Sequence, residues 1–171
     1  MTDQSRLLDL YVTGLKNAHA MESQALSIMR PQASRIEAYP EVKSRIERHI
    51  AETEGQVERL EGLLEQHGTS KSMLKDAALS VAGTAAALGH VPAGDEILKN
   101  SFADFAFENF EIASYKSLIV LARAAGSEGD VAVLERNLGE EEAMANWLAE
   151  NLEPLTTKFA ALYAEGERAK S

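Results

Sequence analysis

Residues 107–118 read FENFEIASYKSL, and the phase of Glu111 within them decides how the chain folds. On a helix each residue turns by about 100°, so Glu111 shares a face with Asp104, Phe107, Glu108, Ser114, Tyr115 and Leu118. The same test puts Glu22 among Leu15, Ala18, Ala25, Leu26 and Met29 with His19 beside it, and Glu141 among Leu134, Asn137, Leu138, Met144, Ala145 and Leu148. Three acids therefore sit within apolar stripes. Glu52 lies nearer the edge of its stripe, which runs through Ile46, Ile50, Val57, Leu60 and Leu64, and it shares that edge with His49, Gln56 and Leu63.

Glu22 and Glu52 stand 30 residues apart, and so do Glu111 and Glu141. Equal spacing implies two helical hairpins, each offering one carboxylate per helix at matched depth, which is the pattern of a metal site in a bundle core. Burying an unpaired carboxylate costs several kcal/mol, so four aimed at one core need protons or cations, and two divalent ions would balance them in charge. The competing reading is that they are partly exposed acids in a chain that has 27 Asp and Glu residues.

At 171 residues the chain is expected to form a single domain over 1–171, long enough to bury a core without staples. It has no cysteine, so any metal must be held by carboxylate and imidazole, which suits iron, manganese or zinc. A formal net charge of −10 without a basic patch argues against nucleic acid and anionic membrane as partners. The start MTDQSRLLDL has no basic leader, and nowhere do 18 apolar residues run together, so the expected location is the cytoplasm.

In chain order, residues 3 to about 35 read as the first helix, capped by Thr2 or Asp3, with Pro31 expected to kink it near Ile28 or end it before Arg30. Pro40 opens the second helix and Gly68 stops it. Residues 68–95 form a long crossover whose Ala-rich part, from Lys71 to Leu88 with Ser70 as its cap, reads as a short extra helix. The third helix follows Asp95, which is placed to cap it, and Gly126 closes it near Ala125. The compact turn GSEGD then makes the fourth helix its antiparallel neighbour, running from about Asp130 to Asn151. There Pro154 is expected to kink it or to open a tail helix through Tyr163, and the final GERAKS to fray. The fold class is all-α, an antiparallel four-helix bundle in which the crossover is expected to set the third helix parallel to the first.

The segments AMESQAL (20–26), HIAETEGQVERLE (49–61), FENFEIASYKSL (107–118) and LGEEEA (138–143) resemble the signature stretches of the YciE/YciF stress-protein family, part of the ferritin-like superfamily. The resemblance implies four antiparallel helices with one long crossover, and carboxylate ligands at Glu22, Glu52, Glu111 and Glu141, with Glu108 and His49 as further metal ligands one turn away. The chain also departs from the superfamily. Glu-x-x-His is usual on the second and fourth helices, yet Gly55 follows Glu52 by three and Met144 follows Glu141 by three. The histidines instead precede the acids, as His19-x-x-Glu22 and His49-x-x-Glu52, and Asn109 and Phe110 stand where the family commonly has histidine and tyrosine.

Two functions follow as expectations. One is a di-metal carboxylate protein, with two iron or manganese ions (zinc as a further option) bridged by Glu22 and Glu111 and held terminally by Glu52 and Glu141. It would oxidise Fe(II) or reduce peroxide or dioxygen in a stress response, with a homodimer among the assemblies it admits. The other is a non-catalytic structural or interaction protein that keeps the bundle around a degenerate site. Tyr115 serves either, as hydrogen-bond donor to a ligand or as a core residue.

Overall fold

The computed structural model describes residues 2–69, 94–166 and 169. Four long helices account for nearly all of them: α1 (Asp3–Arg35), α2 (Pro40–Gln66), α3 (Glu96–Ala124) and α4 (Val131–Ala164), with a short 3₁₀ turn, Glu128–Asp130, before α4. The expected crossover helix lies outside the described residues. No described helix is long and apolar enough to cross a membrane.

The helix ends follow local chemistry. Thr2 Oγ1 accepts from the Ser5 amide at 3.3 Å to cap α1, and Pro40 occupies the first turn of α2, where its missing N–H costs nothing. Gly68 and Gly126 take φ of 78° and 75°, left-handed values that end α2 and α3 with the same paired bonds. Thr69 N donates to Leu64 O and Gly68 N to Glu65 O, while Ser127 N donates to Ala122 O and Gly126 N to Arg123 O. Asp95 precedes α3 without making the expected side-chain cap and instead pairs with Lys99 at 2.8 Å.

The two interior prolines end no helix. α1 runs through Pro31 to Arg35 and α4 through Pro154 to Ala164, because buried residues on both sides, Met29 and Ala33 in one and Leu148 and Leu155 in the other, anchor each helix past its lost hydrogen bond. Near the C-terminus, Ala169 is buried and its carbonyl accepts from Tyr39 Oη at 2.5 Å.

Cross-helix pairs fix the topology. His19 meets Glu61 and Arg30 meets Glu54, so α2 runs antiparallel to α1. Tyr115 meets Glu22, Gln32 meets Asp104 and Arg35 meets Glu96, so α3 also runs antiparallel to α1, and the expectation of parallel helices is corrected. A short connection would have returned the chain alongside α1. Instead α2 ends with Gln66 at one end of the bundle and α3 begins with Glu96 at the other, beside the start of α2, so the two run parallel.

Two apolar clusters fill the core. One gathers Tyr11, Leu15, Leu60, Leu64, Leu118 and Leu134, and the other Met29, Ile46, Ile97, Met144 and Leu148. Between them lies a buried polar layer. On α2 it consists of His49, Thr53 and Gln56, so the core face is turned away from Ile50 and Val57, which stay only half-buried.

Candidate metal centre

All four helices supply this layer. Glu22 comes from α1, His49 from α2, Glu108 and Glu111 from α3 and Glu141 from α4, and each is at most 3% exposed. Their positions follow from helix phase, since Glu108 and Glu111 are one turn apart and continue the buried stripe of Asn100, Asp104 and Tyr115 on α3. One ligand atom each from His49, Glu108, Glu111 and Glu141 lies within 4.8 Å of all the others. Glu22 adjoins them closely enough for the charges of Glu141 and Glu111 to act on it.

His49 is the pivot. Its Nδ1 is 2.9 Å from Glu52 Oε2, and Arg45 holds the same oxygen at 3.1 Å. That leaves Nε2 facing inward, 3.3 Å from both Glu108 Oε2 and Glu141 Oε2, at ion-pair distance but without hydrogen-bond geometry to either. Glu52 itself is 28% exposed in its side chain and engages Arg45 and His49 rather than the buried acids.

A second chain of contacts runs from the acids toward the surface. Tyr115 Oη donates to Glu22 Oε1 at 2.6 Å and accepts from Asn137 Nδ2 at 3.0 Å. Asn137 Oδ1 accepts from Arg59 Nε at 2.6 Å, and Arg59 also pairs with Glu140, which Arg136 and Gln56 hold in turn. Every donor in the run from Arg59 to Tyr115 points toward Glu22, which fixes that carboxylate as an acceptor.

Electrostatics mark the layer as strained when it holds no cation. Burial, with Glu141 next to it, pushes Glu22 well above the usual carboxylate range, against the opposing Tyr115 hydrogen bond. Burial and the charges of Glu22, Glu141 and Glu108 do the same to Glu111. Glu108 rises to about 8, its burial outweighing the attraction of His49. Burial works against the His49 cation, yet the carboxylates of Glu108, Glu141 and Glu52 overcome it and raise the imidazole to about 12. Glu52 falls, because His49 and Arg45 outweigh its partial burial. Six buried carboxylate oxygens, on Glu22, Glu108, Glu111 and Glu141, have no hydrogen-bond partner among the described residues. Hard oxygen donors left unsatisfied around one imidazole nitrogen fit a divalent first-row metal.

Of the residues singled out in the sequence, five converge here and Glu52 stands behind His49. His19 pairs with Glu61 at 3.4 Å, away from the layer. Sequence reading missed the Arg59–Asn137–Tyr115 chain and a separate cluster in which Tyr11 Oη donates to Asp130 at 2.8 Å while His67 Nε2 lies 2.7 Å from the same oxygen. Asn137 was visible on the face of Glu141, but its partner Arg59 is a half-buried residue of α2 that no single-helix pattern points to.

A family model described as a domain of unknown function, DUF892, matches residues 6–161. A crystal structure of a protein from Xanthomonas campestris pv. campestris is 34% identical, with a TM-score of 0.78 over 92% of this chain and 99% of that one. The bacterioferritin of Desulfovibrio desulfuricans, whose X-ray structure captures a diiron site in different catalytic states, is 14% identical. It overlaps 98% of this chain and 92% of its own with a TM-score of 0.73, a likeness of fold.

Proposed function

The chain belongs to the DUF892 family, YciF-like proteins of the ferritin-like superfamily, and from that premise we propose that it binds two iron or manganese ions in its central polar layer and uses them as an oxidoreductase. The observation that carries the proposal is the set of six buried carboxylate oxygens without hydrogen-bond partners among the described residues, two of them 3.3 Å from His49 Nε2. Glu111, Glu141, Glu108 and His49 would hold the ions, with the adjoining Glu22 as a further ligand. Glu52 is assigned to His49 Nδ1, where a carboxylate partner fixes the ring and raises its basicity as a ligand.

Bound iron or manganese supplies the one-electron chemistry for oxidising Fe(II) or reducing peroxide or dioxygen. The protein's own part is positional. Tyr115 holds Glu22 by Oε1 and leaves Oε2 free. Arg45 and Glu52 hold His49 so that Nε2 faces the acids. Before loading, His49 and the raised carboxylates retain protons, which they release as metal enters. Apolar clusters flank the layer on either side, which lowers the local dielectric and strengthens each electrostatic contact within it.

The non-catalytic reading draws on one observation, that His49 already sits among Glu108, Glu141 and Glu52 and neutralises part of their charge without metal. Turnover decides between them. Protein loaded anaerobically with Fe(II) should consume dioxygen or peroxide well above free Fe(II), and Glu111→Gln should abolish the excess. Parent protein that never exceeds the Glu111→Gln background would make the bundle a scaffold.

A further inference from the structure

Beside the central layer, a cavity of about 30 Å³ opens between α1 and α3. Its rim includes the half-exposed Ile28, Ala103 and Phe107, and its wall carries Gln32, Asn100, Asp104 and, at the inner end, Glu108. That volume suits one ion with a water or two rather than an organic substrate.

Its polar groups are unusual for a helix interface. Asn100, Asp104, Glu108 and Glu111 are all buried on one face of α3, one polar group at each turn and so about 5.4 Å apart along the helix. Gln32, from α1, lines the cavity, is 5% exposed and donates Nε2 to Asp104 Oδ1 at 3.1 Å, while its Oε1 is buried without a hydrogen-bond partner among the described residues. A buried amide that served only to join two helices would have both ends satisfied. Here an amide, a carboxylate and Asn100 line a water-sized space that reaches Glu108. These are hard donors suited to a partly hydrated divalent cation.

We propose that the cavity lined by Gln32, Asn100 and Asp104 is a transit site through which divalent cations pass to Glu108 and the central layer. The proposal rests on the metal-binding reading above. Asp104 draws the ion in from the rim, Gln32 Oε1 and Asn100 replace part of its hydration shell, and Glu108, reached from both sides, hands it inward. A transit site controls the rate of loading and leaves the final occupancy alone.

Stopped-flow uptake of Co(II) by metal-free protein, followed by the absorption of the bound ion, separates the two. Asp104→Asn keeps the acceptor for Gln32 and removes only charge, whereas Ala103→Leu obstructs the rim without touching a polar group. Each is expected to slow loading roughly tenfold, within the range by which local fields alter association rates, while the endpoint stoichiometry and melting temperature match the parent. Glu142→Gln, which removes a half-exposed acid paired with Lys116 on the α3–α4 side, should load within about twofold of the parent and so exclude an effect of net charge alone. Parent rates in both Asp104→Asn and Ala103→Leu overturn the route and leave the metal site standing, as does a lowered endpoint in Asp104→Asn, which would make Asp104 a permanent ligand. A parent that takes up no cobalt overturns the route and the metal site together.

Discussion

Raising the pH of the metal-free protein from about 5.5 to about 7.5 should destabilise it, and Glu108 sets the minimum size of the effect. Its ordinary value of 4.5 is raised to about 8 in the fold. Across that window the unfolded chain has released the proton and the folded chain keeps it, a difference of one proton. Stability then falls by about 1.4 kcal/mol per pH unit, or about 3 kcal/mol over the two units. Glu22 and Glu111 are raised as well and steepen the fall, and His49 adds to it above 6.5, since its folded value lies near 12. Glu52, being lowered, acts with the opposite sign but below 4.5, outside the window. The assay is urea denaturation of chelator-treated protein at fixed ionic strength, for the parent and for Glu108→Gln, which cannot titrate. The variant should lose about one proton's worth of slope. A parent whose stability is flat or rises over this range, or a Glu108→Gln slope equal to the parent's, would refute a buried acid cluster.

Metal should invert that dependence, because binding requires the deprotonated acids, so melts taken with excess Mn(II) should rise in temperature with pH. Glu22→Gln and Glu111→Gln should each keep the fold, raise the melting temperature of the apo protein at pH 8 because the amide needs no proton to enter the core, and lose bound metal; unaltered metal content in either would remove it from the ligands. Tyr115→Phe deletes the donor to Glu22 and strands Asn137 Nδ2, so it should cost about 1–3 kcal/mol in urea unfolding and weaken metal binding roughly tenfold in calorimetric titration. His49→Ala should bind metal worse than Glu52→Gln, and the reverse order would make Glu52 the ligand.

Helix phase made Glu22, Glu111 and Glu141 legible in the sequence, because each lies in an apolar stripe long enough to fix the buried face. The second helix was harder. Ile50 and Val57 drew the stripe toward themselves, while the face that enters the core carries His49, Thr53 and Gln56, polar groups whose burial is tolerable only because partners on other helices meet them. Those partners are tertiary facts, and so is the chain from Arg59 through Asn137 to Tyr115. The direction of α3 was misjudged for a different reason. The sequence does not say at which end of the bundle α3 begins, and Arg35 meeting Glu96 puts that start beside the end of α1. Pro31 and Pro154 left a kink or a stop open in the sequence, and packing on both sides carries the helices past them.

The central claim is that the buried acids and His49 exist to hold metal, and the amount of bound metal tests it most directly. Protein produced in iron- and manganese-replete medium, purified without chelator and measured by elemental analysis against its own concentration, is predicted to carry about two ions per chain, with Glu111→Gln folded and nearly empty. Parent protein that stays empty after anaerobic incubation with excess Fe(II) and Mn(II) would contradict the account.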